Sequence, residues 1–342
     1  MATPVASMTG PDRNRASRLP AVIHLRLTVP HDLVEPTLRV LHDDDCVVHI
    51  VRHEGAAIDP PGDAISVDVP KEHASIVVHN LRSIRLHETG GIVLETGGIA
   101  VDEAGARAEE RARGSSADGV VWEDVEAQSG EAAELSQSFL WFMALGALLA
   151  CVALLLDSPV LMVGAMVVGP EFGPIAAASV ALADRRGALA WRSVRALAVG
   201  LPFAVVVSYA FSAGGRLVGL NPEEFAGVSH QLASTIAQPD AYTVVVAAVA
   251  GVAGLLSMTT AKSGAIVGVL VSVTTLPAAA NVGLALAYED VGGAFGSLAQ
   301  LVLNVALMFV AGVVTLVVQR LGYQRRLRKE QAGASRRGPA PS

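Results

Sequence analysis

Six apolar runs in the C-terminal half constrain this chain more than any other feature. They cover about residues 138–156, 159–183, 196–213, 241–257, 264–287 and 298–319. Each approaches or exceeds the roughly 20 residues that a helix needs to cross a bilayer core. A membrane β-barrel is excluded, because its strands alternate in polarity and run only about 10 residues. Composition agrees once it is divided along the chain. Of 342 residues, 52% are hydrophobic and 17% charged, against roughly 45–50% and 25% in soluble domains. Residues 1–133 are polar and charged, so the excess lies in the rest. The expected class is an α-helical polytopic membrane domain of about six spans behind a soluble N-terminal domain.

Charge orients the spans. Segment 184–195 carries four arginines and one aspartate, and the tail 320–342 carries seven bases and one acid. Segment 214–240 has one arginine against three acids, and 288–297 holds Glu289 and Asp290. With six spans, the basic segments fall on one side and the acidic loops on the other. The positive-inside rule then places both termini in the cytoplasm. The basic tail reads as a topology signal rather than a nucleic-acid surface. Arg13, Arg15 and Arg18 precede a stretch interrupted by His24 and Arg26, so no secretory signal is expected.

The domain expectation is a disordered 1–20, a soluble domain over 21–101, an acidic linker over 102–133, spans within 134–320 and a basic tail 321–342. In the soluble domain, Val22–Val29 alternates as a strand. Leu33, Val34, Leu38 and Leu41 share a helical face. Cys46–His53 and Ala64–Val69 read as strands, Lys71–Ile84 as a helix and Gly91–Val101 as a strand. The order β-α-β-β-α-β predicts an α+β ferredoxin-like fold. Eight of nine histidines lie here, and His42-Asp43-Asp44-Asp45-Cys46 precedes the strand with His49 and His53. Imidazole and carboxylate could hold a metal here, but without a compact zinc spacing the structural reading is preferred, and no metal or cofactor is assigned. Glu88-Thr89-Gly90-Gly91-Ile92 recurs as Glu95-Thr96-Gly97-Gly98-Ile99, which reads as a turn leading into a bulged strand in preference to a backbone nest for a phosphate-bearing ligand. Cys46 and Cys151 form no CxxC pattern.

The second and fifth runs are interrupted. The second contains Gly164 and then Gly169-Pro170-Glu171-Phe172-Gly173-Pro174; the fifth contains Gly268, Thr274, Thr275, Pro277 and Asn281. Proline removes a helix donor and its ring blocks the preceding turn, so both spans are expected to break near mid-bilayer, Pro277 at the cost of a backbone bond. Gly146 and Ser158 are twelve apart, as are Gly251 and Ser263. Each broken span is the middle of three, so the groups read as an inverted repeat, an architecture of secondary transporters. Glu171 is the one ionisable residue deep in a run, and such a group costs about 2.5–3.5 kcal/mol to insert. It reads either as a proton- or cation-coupling group or as a cap on the half-helix after Pro170. Gly169, Pro170, Glu171, Gly173, Pro174, Thr274, Thr275, Pro277 and Asn281 form the expected solute or ion pathway. Asp157, Ser158, Lys262 and Ser263 sit at its mouths, as gates or as helix caps. Asn281 and Asn304 suit interhelical hydrogen bonds.

These hairpins resemble a bacterial and archaeal family of hydrophobic proteins known as domain of unknown function 389. The resemblance rests on Leu155-Leu156-Asp157-Ser158-Pro159, Val163-Gly164-Ala165-Met166 and Gly173-Pro174-Ile175. It continues in Lys262-Ser263, Ala265-Ile266-Val267-Gly268-Val269 and Leu276-Pro277. It implies a multi-pass protein of the bacterial inner membrane and supplies no activity.

Two functions remain open at this point. One is a secondary transporter or channel-like carrier of a small polar solute, lipid-embedded and homo-oligomeric, with a regulatory cytoplasmic domain. The other is a membrane-anchored sensor or scaffold whose soluble domain binds a nucleotide or metal. An enzyme is not expected, since no HExxH, GxSxG or paired-carboxylate pattern occurs.

Overall fold

The structure, a computed structural model, describes residues 21–112, 120–222, 225, 230–259 and 275–334; of 96–97 and 326–334 only the backbone is described. The chain divides into two compact units, 1–122 and 123–342.

In the first unit, β1 (Ala21–Pro30) is followed by a 3-10 turn and α1 (Val34–His42). Then come β2 (Val48–Ile58), β3 (Pro61–Pro70), α2 (Lys71–Ser83), the short α3 (Leu86–Thr89), β4 (Gly91–Ile99) and α4 (Glu103–Arg111). The strands lie in the order β2-β3-β1-β4, every neighbouring pair antiparallel. Alternation decides which face is covered. Ile23, Leu25, Leu27 and Val29 of β1 join Ile65, Val67 and Val69 of β3 beneath Val34, Leu41, Val77 and Leu81 of the helices. His24, Arg26 and Asp68 alternate onto the other face. Of the doubled Glu-Thr-Gly-Gly-Ile sequence, the first copy ends α3 and opens β4. The second runs within β4 near a register shift at Val22/His24. The acidic stretch after β4 holds α4 and α5 (Trp122–Ala132).

The second unit continues with α6 (Gln137–Leu155), α7 (Pro159–Val168), α8 (Phe172–Ala183), α9 (Gly187–Leu217) and α10 (Gln231–Ile236). It ends with α11 (Ala241–Thr259), α12 (Leu276–Ala287) and α13 (Val291–Ala334). Four helices, α6, α9, α11 and α13, are long and apolar enough to cross a membrane. The bent pair α7–α8 makes up to five. Of the expected fifth run, α12 is one shorter apolar helix, and residues 264–274 lie outside the described residues. Trp141, Phe142, Leu145, Val206, Val245, Val249, Val302 and Val310 are exposed on these long helices, an outward apolar surface that suits lipid better than water.

The two three-helix groups repeat one another in detail. α8 and α12 are each 12 residues long. Each is followed, just past its C-cap, by a residue of positive φ, Arg185 and Glu289. Behind each, an N–H reaches back to the same place in the last turn: Arg186 N to Ala181 O at 2.8 Å, Asp290 N to Ala285 O at 2.9 Å. α6 packs on α9 as α11 packs on α13; α8 meets α9 and α13 as α12 meets α13 and α9; α12 touches α6 as α8 touches α11. Arg216 at the end of α9 donates to Ala287 O and lies over the Tyr288 ring. Arg320 of α13 donates to Ala183 O and pairs with Asp184. Ser179 of α8 lies against Gly312, and Gly283 of α12 against Ser208. Glu171/Thr275, Ser179/Gly283, Ala183/Ala287, Asp184/Tyr288, Ser208/Gly312 and Arg216/Arg320 are all 104 residues apart.

Candidate functional site

The break in the second run is built by its own residues. Gly169 N closes α7 on Ala165 O at 3.2 Å, and Pro170 has no N–H to continue the ladder. α8 restarts at Phe172, bent 51° from α7. Pro174 sits in the first turn of α8, where a missing N–H has no helical acceptor to lose. Pro277 occupies the first turn of α12 in the same way. The expectation that Pro277 removes a buried backbone bond is corrected as far as α12 is concerned: in the first turn its missing N–H costs that helix no bond.

Glu171 lies in the break, 1% exposed. It occupies the N-cap position of α8 but makes no side-chain cap bond there. Its carboxylate turns instead toward α12, and Oε1 accepts the Thr275 hydroxyl at 2.9 Å. Thr275 is itself the N-cap residue of α12 and fully buried. The carboxylate folds back over Gly169, where a β-carbon would strike Oε2. The Leu276 side chain lies over both Gly146 and Gly169, so a β-carbon at either would make it shift. The break of one group thus meets the start of the half-helix of the other, at matching positions.

The other sequence-derived residues divide clearly. Gly173 backs onto Ala132 of α5. Asn281 donates to Ser297 Oγ at 2.7 Å and Ala233 O at 3.2 Å, the interhelical bonds expected of it. Asn304 is fully buried. Ser158 accepts Leu161 N–H as the N-cap of α7. Asp157, at φ 47°, closes α6 and accepts the N–H groups of Gln231 and Leu232 at the start of α10. The bonds of Asp157 and Ser158 are those of caps. Lys262, Ser263, Gly268 and Thr274 lie outside the described residues.

Sequence reasoning missed two polar clusters of the first unit. On the open sheet face, His24 and His49 each place Nδ1 2.7 Å from a different oxygen of Asp68, and His49 Nε2 lies 3.3 Å from Asp102. The bond to Asp68 raises the His49 pKa against the opposing effect of burial. Asp102 caps α4 through Gly105 N–H, which lowers its pKa. The alternation of β1 and β3, with His24 directly opposite Asp68, was the available signal. The second cluster joins Asp44, Cys46 and His73, whose ligating atoms all lie within 4.8 Å of one another. The sequence separates His73 from the other two by a strand pair, which hides the grouping.

Residues 166–310 match the family described as Domain of unknown function (DUF389). The chain is 24% identical over 224 residues to the uncharacterized protein MJ0678 of Methanocaldococcus jannaschii, covering 66% of this chain and 67% of that protein. No solved structure matches. The match to this family begins within α7, ends within α13 and takes in both half-helices and the Glu171–Thr275 contact.

Proposed function

We propose that this protein is a secondary carrier of a small polar solute in the bacterial inner membrane, working through an inverted repeat of two three-helix groups. The reading is carried by the Glu171–Thr275 hydrogen bond, at 2.9 Å between equivalent positions of the two groups. Such a contact lies where an approximate two-fold axis would pass, and carriers of this architecture bind substrate there, between half-helices near the bilayer midplane. Glu171 is the proton- or cation-coupling group. In the conformation described it is held closed by Thr275 and Leu276. Opening one end exposes it to solute, and rocking the groups exposes it to the other side.

Two further observations support this arrangement. Arg320 ties the basic tail to Asp184 of the basic segment. At the other end, Tyr288 OH donates to Pro222 O and Arg216 to Ala287 O, which joins the two acidic loops. This grouping is the one that charge alone requires for both termini to be cytoplasmic. The antiparallel order β2-β3-β1-β4 supports a ferredoxin-like N-terminal domain, which regulates the carrier.

Reconstitution tests the proposal. Liposomes containing the full chain and a trapped pH dye are offered panels of amino acids, organic acids and inorganic ions. Solute-dependent proton movement is expected, and Glu171→Gln abolishes it. Flux that persists unchanged in that variant removes the coupling role, and no flux for any class removes the carrier reading.

A further inference from the structure

We infer that Asp44, Cys46 and His73 form a binding site for a thiophilic divalent cation of the Zn2+ class. The inference concerns the first unit and does not depend on the carrier reading. Cys46 and His73 are buried, at 6% and 7% exposure. Three ligands come from two elements: the turn that leads into β2 and the first turn of α2. The turn is already organised around the carboxylate. Cys46 N–H donates to Asp44 Oδ1 at 3.0 Å, which directs Oδ2 to His73 Nε2 at 2.8 Å.

The donor set selects the ion. A thiolate and an imidazole favour Zn2+, Co2+ or Ni2+ over Mg2+ and Ca2+, which require oxygen. Tetrahedral bonds of about 2.0–2.3 Å place ligands about 3.3–3.7 Å apart. The Asp44–His73 contact opens by less than about 1 Å to admit the ion, and the other separations, all within 4.8 Å, need to close by no more than about 1.5 Å. The ion displaces the proton shared by Asp44 and His73 and the proton of the Cys46 thiol. Three protein ligands leave the fourth position for water or an exogenous donor. The site also reaches the helix after the sheet, because Arg111 of α4 donates to Asp45 O at 3.0 Å, between the two turn ligands. Occupancy therefore stiffens the loop on which α4 rests.

The test uses the full chain in detergent with Co2+ as the optical probe. Wild type is expected to bind about one Co2+ per chain with a thiolate-to-metal charge-transfer band, and Zn2+ is expected to displace it. Cys46→Ser removes the band. His73→Gln raises the Co2+ concentration for half-saturation by more than the about 10-fold that losing even an outer-shell partner costs. Cys151→Ser and His49→Gln leave band and affinity unchanged. A wild-type protein without the band overturns the inference, and so does a band that survives Cys46→Ser or disappears with Cys151→Ser. Because the wild-type spectrum decides by itself, misfolding of a variant does not rescue the idea.

Discussion

The first and second three-helix groups share a backbone and differ in chemistry. Each has a 12-residue half-helix with the same left-handed stop, and each half-helix receives an arginine from the third helix of the other group. At matched positions, however, the first group carries Glu171 and Asp184 where the second carries Thr275 and Tyr288. Its ionisable residues occupy the break and one end, while hydroxyls stand at the equivalent places. The comparison teaches that the repeat sets where the elements cross, and that at the Glu171–Thr275 contact the ionisable side chain comes from the first group.

The largest expected effect comes from forcing the two crossings apart unequally. A β-carbon on Gly283 would strike Val205 O, Ser208 Cβ and Tyr209 N of α9, mostly rigid backbone. At the matching crossing, one on Gly312 would meet only the Ser179 hydroxyl and the Leu255 side chain, which can turn aside. Gly283→Ala is expected to cost about 1–3 kcal/mol or more, and Gly312→Ala less than about 1.5 kcal/mol. Thermal unfolding in detergent with size-exclusion profiles checks the order. Equal losses would show that the crossings are packed alike.

The arginines come next. Arg320 faces a carboxylate that burial has stripped of water, and Arg216 faces a phenol ring at 4.6 Å. Arg320→Gln is expected to cost about 1.5–3 kcal/mol, as for a hydrogen bond to a charged group. Arg216→Gln should cost about 0.5–1 kcal/mol, the range of an exposed cation–π contact. Of similar size is Thr275→Val, which removes the donor to Glu171 at about 0.5–1.5 kcal/mol. The double exchange Glu171→Thr with Thr275→Glu should recover part of that loss if the positions are equivalent. A double variant less stable than both singles would break the correspondence.

How much of this was legible follows from what each signal measures. Apolar run length reports burial in lipid, so the helices α6, α9, α11 and α13 were readable. Proline marked the break at Gly169–Glu171, but its meaning at Pro277 depended on where the helix starts, and glycine or proline spacing leaves that start uncertain by several residues. The equal spacings from Gly146 to Ser158 and from Gly251 to Ser263 pointed to a repeat. Its consistent 104-residue offset emerged only from contacts, since Asp184/Tyr288 and Ser179/Gly283 share no residue type. Alternation identified the core face of β1, whereas the Asp44–Cys46–His73 grouping depends on how α2 begins beside a turn 27 residues earlier in sequence, which no periodicity encodes.

The smallest effect is a change with pH at one end only. Burial raises the Asp184 pKa from its ordinary 3.8, while Arg320 pulls it down. The native state therefore holds this proton more tightly than the unfolded chain. Its contribution to stability is complete below the unfolded value and is lost as pH rises through the raised native one. Removing Arg320 withdraws the opposing pull, so Asp184 takes up a proton more readily. The penalty of Arg320→Gln should accordingly shrink as pH is lowered from about 8 toward 4. Burial also raises the Tyr288 pKa, from 10, so that phenol stays neutral throughout this range and the penalty of Arg216→Gln should stay flat. Melting temperatures of the two variants against wild type across this range check the asymmetry. Parallel curves would mean that Asp184 keeps its charge without Arg320, and that the two ends differ in residue type but not in electrostatics.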